Sequence, residues 1–366
     1  MRLNSSVITQ FRRKEAAVME EKKKNKKTVI AAILFPLIAA IMLYLVFRGC
    51  DFASLNNSIK AADTRFVILA VICICGFVLC ESVNIGRIIR ASGYHIGFIQ
   101  MITYGASGFF FSGVTPSSSG GQPMQLLYMT KDRIRASHGS LSLIVEVAGF
   151  QVANIILALF GVLYNIDYIR ALGSAVQIFI AVGIGIDAAV LVILLLLIFN
   201  ERASVGIEKT VLKIMWLVKK KERGGKIAGF FREYRDGAGY IKRHPSLIAG
   251  NLVITFVQLL AMYSITYFIY LALGCTGYSW ANVFSLQAVL SAAIASVPLP
   301  GAVGAGESGF KLLFSSIFAG GMLMPGMLLS RGISFYLGLL ITGGFLLALM
   351  IIKNIRKTRK NTLYEI

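Results

Sequence analysis

Acidic side chains are scarce in this chain, with 17 Asp and Glu against 37 Lys and Arg and a net charge of +20 over 366 residues. Histidine is scarcer still. His95, His138 and His244 are too dispersed for a paired metal-binding helix, and no GxSxG elbow, P-loop or CxxC occurs. Gly304-Ala-Gly306 lacks the third glycine and preceding strand of a dinucleotide fingerprint. No catalytic residue, metal site or cofactor is therefore expected. The five cysteines (Cys50, Cys73, Cys75, Cys80, Cys275) have neither zinc spacing nor a disulfide framework, and three of them fall in one apolar stretch, where cysteine behaves as a small hydrophobe. A cleavable leader is not expected either: residues 1–27 are too long and too charged, and the apolar run after them is long enough to span.

Apolar sequence is abundant instead. Hydrophobic residues make up 56% of the chain and the mean hydropathy is +0.73, well above soluble domains at roughly 45–50% apolar. The basic excess lies between the apolar runs rather than within them. It suits the anionic inner face of a membrane, not a nucleic acid.

A bilayer core takes about 20 apolar residues in a helix. Six full spans are predicted, at 28–47, 66–89, 138–164, 172–199, 246–273 and 324–352. Two further apolar stretches, 98–128 and 282–318, are broken in the middle. Each leaves two arms of about 15–18 residues, short for a crossing, and so reads as a re-entrant helical hairpin. If both hairpins return to their side of entry, 31 of the 37 basic residues fall inside. Only Arg48, Lys60, Arg65 and Arg170 are left outside, and Lys311 and Arg331 in the membrane. The expected fold is an all-α polytopic membrane protein with about six spans and two oppositely oriented hairpins, in an inverted-topology repeat. The halves are 66–164 and 246–352 within a membrane domain of 28–352. Basic tails of 1–27 and 353–366 are expected in the cytoplasm. Residues 201–245 form an amphipathic insertion, suited either to lying on the inner leaflet or to a solvated connection.

The two breaks match. The first reads Val114-Thr115-Pro116-Ser117-Ser118-Ser119-Gly120-Gly121-Gln122-Pro123, the second Pro298-Leu299-Pro300-Gly301-Ala302-Val303-Gly304-Ala305-Gly306-Glu307. Corresponding interruptions in two halves point to a midplane binding site. Non-helical backbone at that depth must be buried in protein or line a wet cavity. Helix N-termini after each break favour anions, so a lipid phosphate suits them. The candidate binding residues are Thr115, Pro116, Ser119, Gly120, Gly121 and Gln122 at the first tip. At the second they are Pro300, Gly301, Gly304, Gly306 and Glu307. Glu146, Lys311 and Arg331 join them as ionisable groups in apolar sequence, where charge costs about 2.5–3.5 kcal/mol at a helix centre. Glu81 and Asp187 share that property. Glu307 and Lys311, spaced i,i+4, are positioned to pair with each other. Arg331 has no acid within a helical turn. It is suited to grip a phosphate with its fork or to snorkel to headgroups. Scattered glycines such as Gly183, Gly185, Gly343 and Gly344 read as helix-packing positions.

At these tips the chain resembles the transmembrane region of lysylphosphatidylglycerol synthases, a flippase-like family that includes the multiple peptide resistance factor. Thr115-Pro116, Gly120-Gly121 and Pro123 match its TP…GGEP segment, and Leu299-Pro300-Gly301, Gly304 and Glu307 match its LPGG-G-x-x-E segment. Gln122 stands at the acidic position of the first motif and Gly306 at the basic position before the second glutamate. The resemblance implies movement of an anionic or aminoacylated phospholipid between leaflets of a bacterial plasma membrane. It also implies a link to cationic-peptide resistance. In full-length synthases a separate soluble domain makes the lipid from charged transfer RNA, and this chain is expected to lack it. The alternative the family name carries is a phosphatidylglycerol lysyltransferase or its membrane subunit. The expected partners are the phospholipid substrate, anionic inner-leaflet lipids, a separate synthase protein and a second copy of the chain, with no nucleic acid.

Overall fold

A computed structural model describes residues 60–362 apart from 116–117, 218–223, 296, 298, 303 and 319. The basic tail of 1–27, the expected span at 28–47 and Pro116 lie outside the described residues. Those described form helices and connections, with no strand among them.

The five spans expected within these residues are all helices long and apolar enough to cross a bilayer. They are α1 (Thr64–Ala91), α4 (Ala136–Tyr164), α6 (Ser174–Phe199), α9 (Pro245–Ala272) and a final rod from Leu323 to Lys353. α1 starts where the Asp63 carboxylate accepts the Arg65 amide, an N-cap that satisfies one orphan donor. α9 starts on Pro245, whose missing N–H costs nothing at a first helical position. The final rod is not one uniform helix. It consists of α12 (Leu323–Arg331), a π-helical turn (Gly332–Leu337) and α13 (Gly338–Thr362).

Between α1 and α4 the first broken stretch becomes α2 (Phe98–Val114) and α3 (Gly121–Lys131). Tyr104 hydrogen-bonds Asp132, Gly108 abuts Gln125 and Gly121 abuts Ser112. The pairing order shows that the two helices run antiparallel. Glycine at 108 and 121 makes it possible: a Cβ at either would strike the partner helix. The second broken stretch becomes α10 (Trp280–Ile294), a 3-10 turn (Pro300–Ala302) and α11 (Ala305–Phe314). Gly309 of α11 lies against Leu290 and Ile294 of α10. This second arm is shorter than its apolar sequence suggested, because the chain leaves the helix after Phe314 and turns at Gly320 and Gly321, both with positive φ.

The halves interlock reciprocally. α1 packs most extensively on α9, the first long helix of one half on the first of the other. α4 packs on α10 and α13 on α2, so the last helix of each half embraces the first short arm of the opposite half. The core between them is Ala70, Ile74 and Phe77 from α1 against Leu259, Tyr263, Ile265 and Ile269 from α9, closed by Ala153, Phe284, Ala288 and Ile333.

After α4 comes the short helix α5 (Ile166–Ala171), and after α6 the polar insertion forms α7 (Glu201–Leu217) and α8 (Gly224–Arg243). α8 is docked rather than solvated. Tyr234, Ala238 and Ile241 are one buried stripe against Ile88, Leu141, Val145, Ala148 and Ile198, and the helix is tied at its middle by Glu233 to Arg135 and Ser137 and at its C-terminal end by Lys242 to the Phe199 carbonyl.

Candidate functional site

The second tip is a clamp built on backbone only glycine adopts readily. Gly301 and Gly304 have φ of +56° and +88°, in the left-handed region that strains an L side chain. Ala302 is held there too, at +50°, an outlier of the kind that collects at functional sites. Gly304 caps α11, and its amide donates to the Glu307 carboxylate. The other Glu307 oxygen accepts from Arg331 Nε at 3.1 Å, and Arg331 Nη2 donates to the Gly301 carbonyl at 2.9 Å. Arg331 also sits 5.2 Å over the Phe335 ring. Both side chains of the pair are about 15% exposed.

The expected Glu307–Lys311 pair does not form. Capping turns Glu307 inward toward α12, whereas Lys311 stands on the exposed side of α11 and does not join the site. The acid that Arg331 lacks within a helical turn is supplied by another element, 24 residues away. Gly306 lets this happen: a Cβ there would lie 3.1 Å from the Arg331 guanidinium.

At the first tip the described groups are partly committed to each other. The Thr115 hydroxyl donates to the Phe111 carbonyl at 2.6 Å and accepts the Gly120 amide at 2.8 Å. Gly120 and Gly121 therefore serve the turn and the close helix approach, while Ser119 and Gln122 are exposed. The two tips are neighbours. α2 packs on the 3-10 turn at Pro300, and the Phe335 ring lies against both Gly113 near the end of α2 and Gly301.

Behind the second tip is a cavity of about 150 Å³. Its wall includes Gly306 and Arg331, polar groups from Tyr263, Thr266, Gln287, Ser291 and Ser330, and the rings of Phe77, Phe150, Phe310 and Phe335. Tyr263 bridges Ser291 and Asn154, and Asn154 in turn donates to Asp187 at 3.0 Å. Asp187 thus sits on a hydrogen-bonded chain leading to the cavity rather than in it. Glu146 does not line the cavity either. It is buried on α4 next to Val145, whose carbonyl accepts Asn251 Nδ2, while the Glu81 carboxylate on α1 accepts Gln125 Nε2 at 2.9 Å. Gln125 and Phe335 were not singled out from the sequence. A glutamine three residues past the first motif's Gln122, in an otherwise apolar arm, was the available signal for one. Nothing in a lone phenylalanine signals the other.

A separate groove of about 270 Å³ opens between α1, α2 and α13. It is mainly apolar, lined by Ile74, Val78, Leu79, Ile102, Ile341 and Phe345 with Ser82 and Thr342 at its wall.

Five apolar helices long enough to cross a bilayer, among the described residues, define a multi-pass membrane protein. The chain belongs to the family described as the lysylphosphatidylglycerol synthase TM region, whose model matches residues 29–342. It is also 23% identical over 324 residues to a UPF0104 membrane protein of Pyrococcus horikoshii, covering 82% of this chain and 92% of the relative.

Proposed function

We propose that this protein moves a phospholipid with an anionic or aminoacylated headgroup, such as lysylphosphatidylglycerol, between membrane leaflets. The observation that carries the reading is the Arg331 clamp beside the polar cavity. A guanidinium in a poorly hydrated site holds a phosphate with two parallel hydrogen bonds, and here, among the described residues, its hydrogen bonds go to Glu307 and the Gly301 carbonyl. The incoming phosphate displaces Glu307, which reclaims Arg331 on release. The apolar groove beside α2 carries the acyl chains past the protein flank.

At about 150 Å³ the cavity is smaller than the roughly 300 Å³ at which small-molecule pockets begin. It fits a phosphate but not a whole headgroup, so transport needs it to widen. Opening follows from the two short helical pairs dipping into the bilayer from opposite sides and rocking against each other, with alternating access at their tips. The arrangement belongs in a bacterial plasma membrane with basic segments, α8 included, on the anionic cytoplasmic face.

Purified protein in liposomes of phosphatidylglycerol and phosphatidylcholine tests this. A labelled phosphatidylglycerol or lysylphosphatidylglycerol should reach the opposite leaflet at a rate at least tenfold above protein-free vesicles. R331A should return the rate to that background. Equal rates with and without protein for every headgroup tried would end the reading. The family's description favours a second possibility, a membrane subunit of lysylphosphatidylglycerol synthesis. Lysyl transfer from charged transfer RNA in the same vesicles, with no leaflet exchange, would select it.

A further inference from the structure

Between α1, α4 and α9 lies a polar seam that the clamp does not use. Glu81 is 9% exposed and Glu146 6%, and the two carboxyls interact electrostatically. Gln125 donates to Glu81 at 2.9 Å, whereas the Glu146 carboxyl has no hydrogen-bond donor among the described residues. Asn84, one turn from Glu81, donates to Thr255 at 3.0 Å, and Asn251 donates to the Val145 carbonyl next to Glu146 at 3.3 Å. These bonds leave Asn84 Oδ1 and Asn251 Oδ1 as buried acceptors without a donor, and Gln258 Oε1 on α9 is another. The seam is rich in oxygen and short of positive charge.

No base compensates it. α2, α9 and α10 carry no charged residue, and α3 has only Lys131, which is exposed. On α1, Arg87 lies over Gly250 and Arg90 holds the Ile96 carbonyl. His138 of α4 bonds Tyr94 at the helix start, Glu233 and Arg235 of α8 pair with Arg135 and Glu208, Asp187 of α6 is held by Gln151 and Asn154, and Arg331 belongs to Glu307. Two ionised carboxyls cannot share a low-dielectric site without a cation between them. Among the described residues no group of three or more His, Cys, Asp or Glu is assembled, which argues against a multivalent metal centre.

We propose that Glu81 and Glu146 form a cation site that takes up one positive charge, as a shared proton or a sodium ion, and reports its occupancy to the first helical pair through Gln125. Binding rests on the burial of both carboxyls and on the bonds from Asn84 to the Asn251 carbonyl and from Asn251 to the Val145 carbonyl that join their helices. The coupling rests on the translocation reading: neutralising Glu81 replaces a charge-assisted bond to α3 by a neutral one about half as strong, which frees the tip to move.

The test is thermal unfolding in phosphatidylcholine nanodiscs, with the native chain compared against E81Q/E146Q. One arm replaces choline chloride by sodium chloride at constant ionic strength and pH 8.5. The other lowers pH from 8.5 to 5.5 in choline chloride. We expect Tm of the native chain to rise by about 3–5 °C more than that of the double variant in one arm, and that arm names the cation. Parallel Tm curves for the two proteins in both arms overturn the site. Should the double variant not fold, the infrared band of protonated carboxyls and the sodium response of E146Q against native protein decide in its place, unchanged signals in both overturning the site. Lipid movement is not read here, so failure of the cation site leaves the translocation reading standing, and the reverse holds.

Discussion

Arg331 and Glu307 face each other from different elements and are mostly buried, so each is the other's compensation for leaving water. Removing one partner of such a pair costs about 3–5 kcal/mol because the survivor is left unpaired. R331A should therefore lower Tm sharply, while R331M/E307Q should cost much less than the sum of its singles. A double-mutant cycle from thermal unfolding in detergent checks this; additive losses would show that the pair is not coupled. Glycines can be sorted the same way. Gly183 lies against the backbone of Ala292 and Ala293, whereas Gly185 has nothing within 4 Å of where a Cβ would sit. G183A should destabilise by about 1–3 kcal/mol through overpacking, and G185A should be neutral or stabilise by up to about 1 kcal/mol from helix propensity. The sequence assigned both to helix packing. Only the structure separates them, because spacing along a helix does not say which face meets another backbone.

At the scale of elements, α8 shows how a charged insertion can still be part of the core. Its mean character is basic and polar, yet Tyr234, Ala238 and Ile241 recur at helical spacing and bury on α4 and α6. Burial pushes the Tyr234 phenol up to about 12, above its unfolded value of about 10. A raised folded-state value means stability is complete below pH 10 and lost as pH climbs toward 12. The protection of 230–242 against hydrogen exchange, taken relative to the base-catalysed intrinsic rate, should therefore fall between those limits in the native chain. In Y234F, whose residue 234 cannot ionise, that fall should be much smaller. The amphipathic reading of this segment came from the sequence. Its docking did not, since the receiving surface is assembled from α1, α4 and α6.

For the whole molecule, the reciprocal packing of α4 on α10 and α13 on α2 predicts a definite topology. In a chain with its native cysteines replaced, S92C and R133C flank the first helical pair and should react with an impermeant maleimide from one side of the membrane. Y278C and G321C flank the second and should react from the opposite side. Reaction of S92C and R133C from opposite sides would turn α2–α3 into a crossing and remove the inverted repeat.

The sequence by itself determined where the long apolar helices lie among the described residues and where both stretches break, because these follow from hydropathy and from the placing of proline and glycine. It also singled out Glu81, Glu146, Glu307 and Arg331, since charge in apolar sequence is costly wherever it falls. Which of them meet was decided only by tertiary structure. Glu307 turned from Lys311 to Arg331, Glu146 was buried outside the cavity, and Phe335 came to lie between Gly113 and Gly301. Partners 24 or more residues apart are set by how helices pack across the two halves. No local period in the chain encodes that.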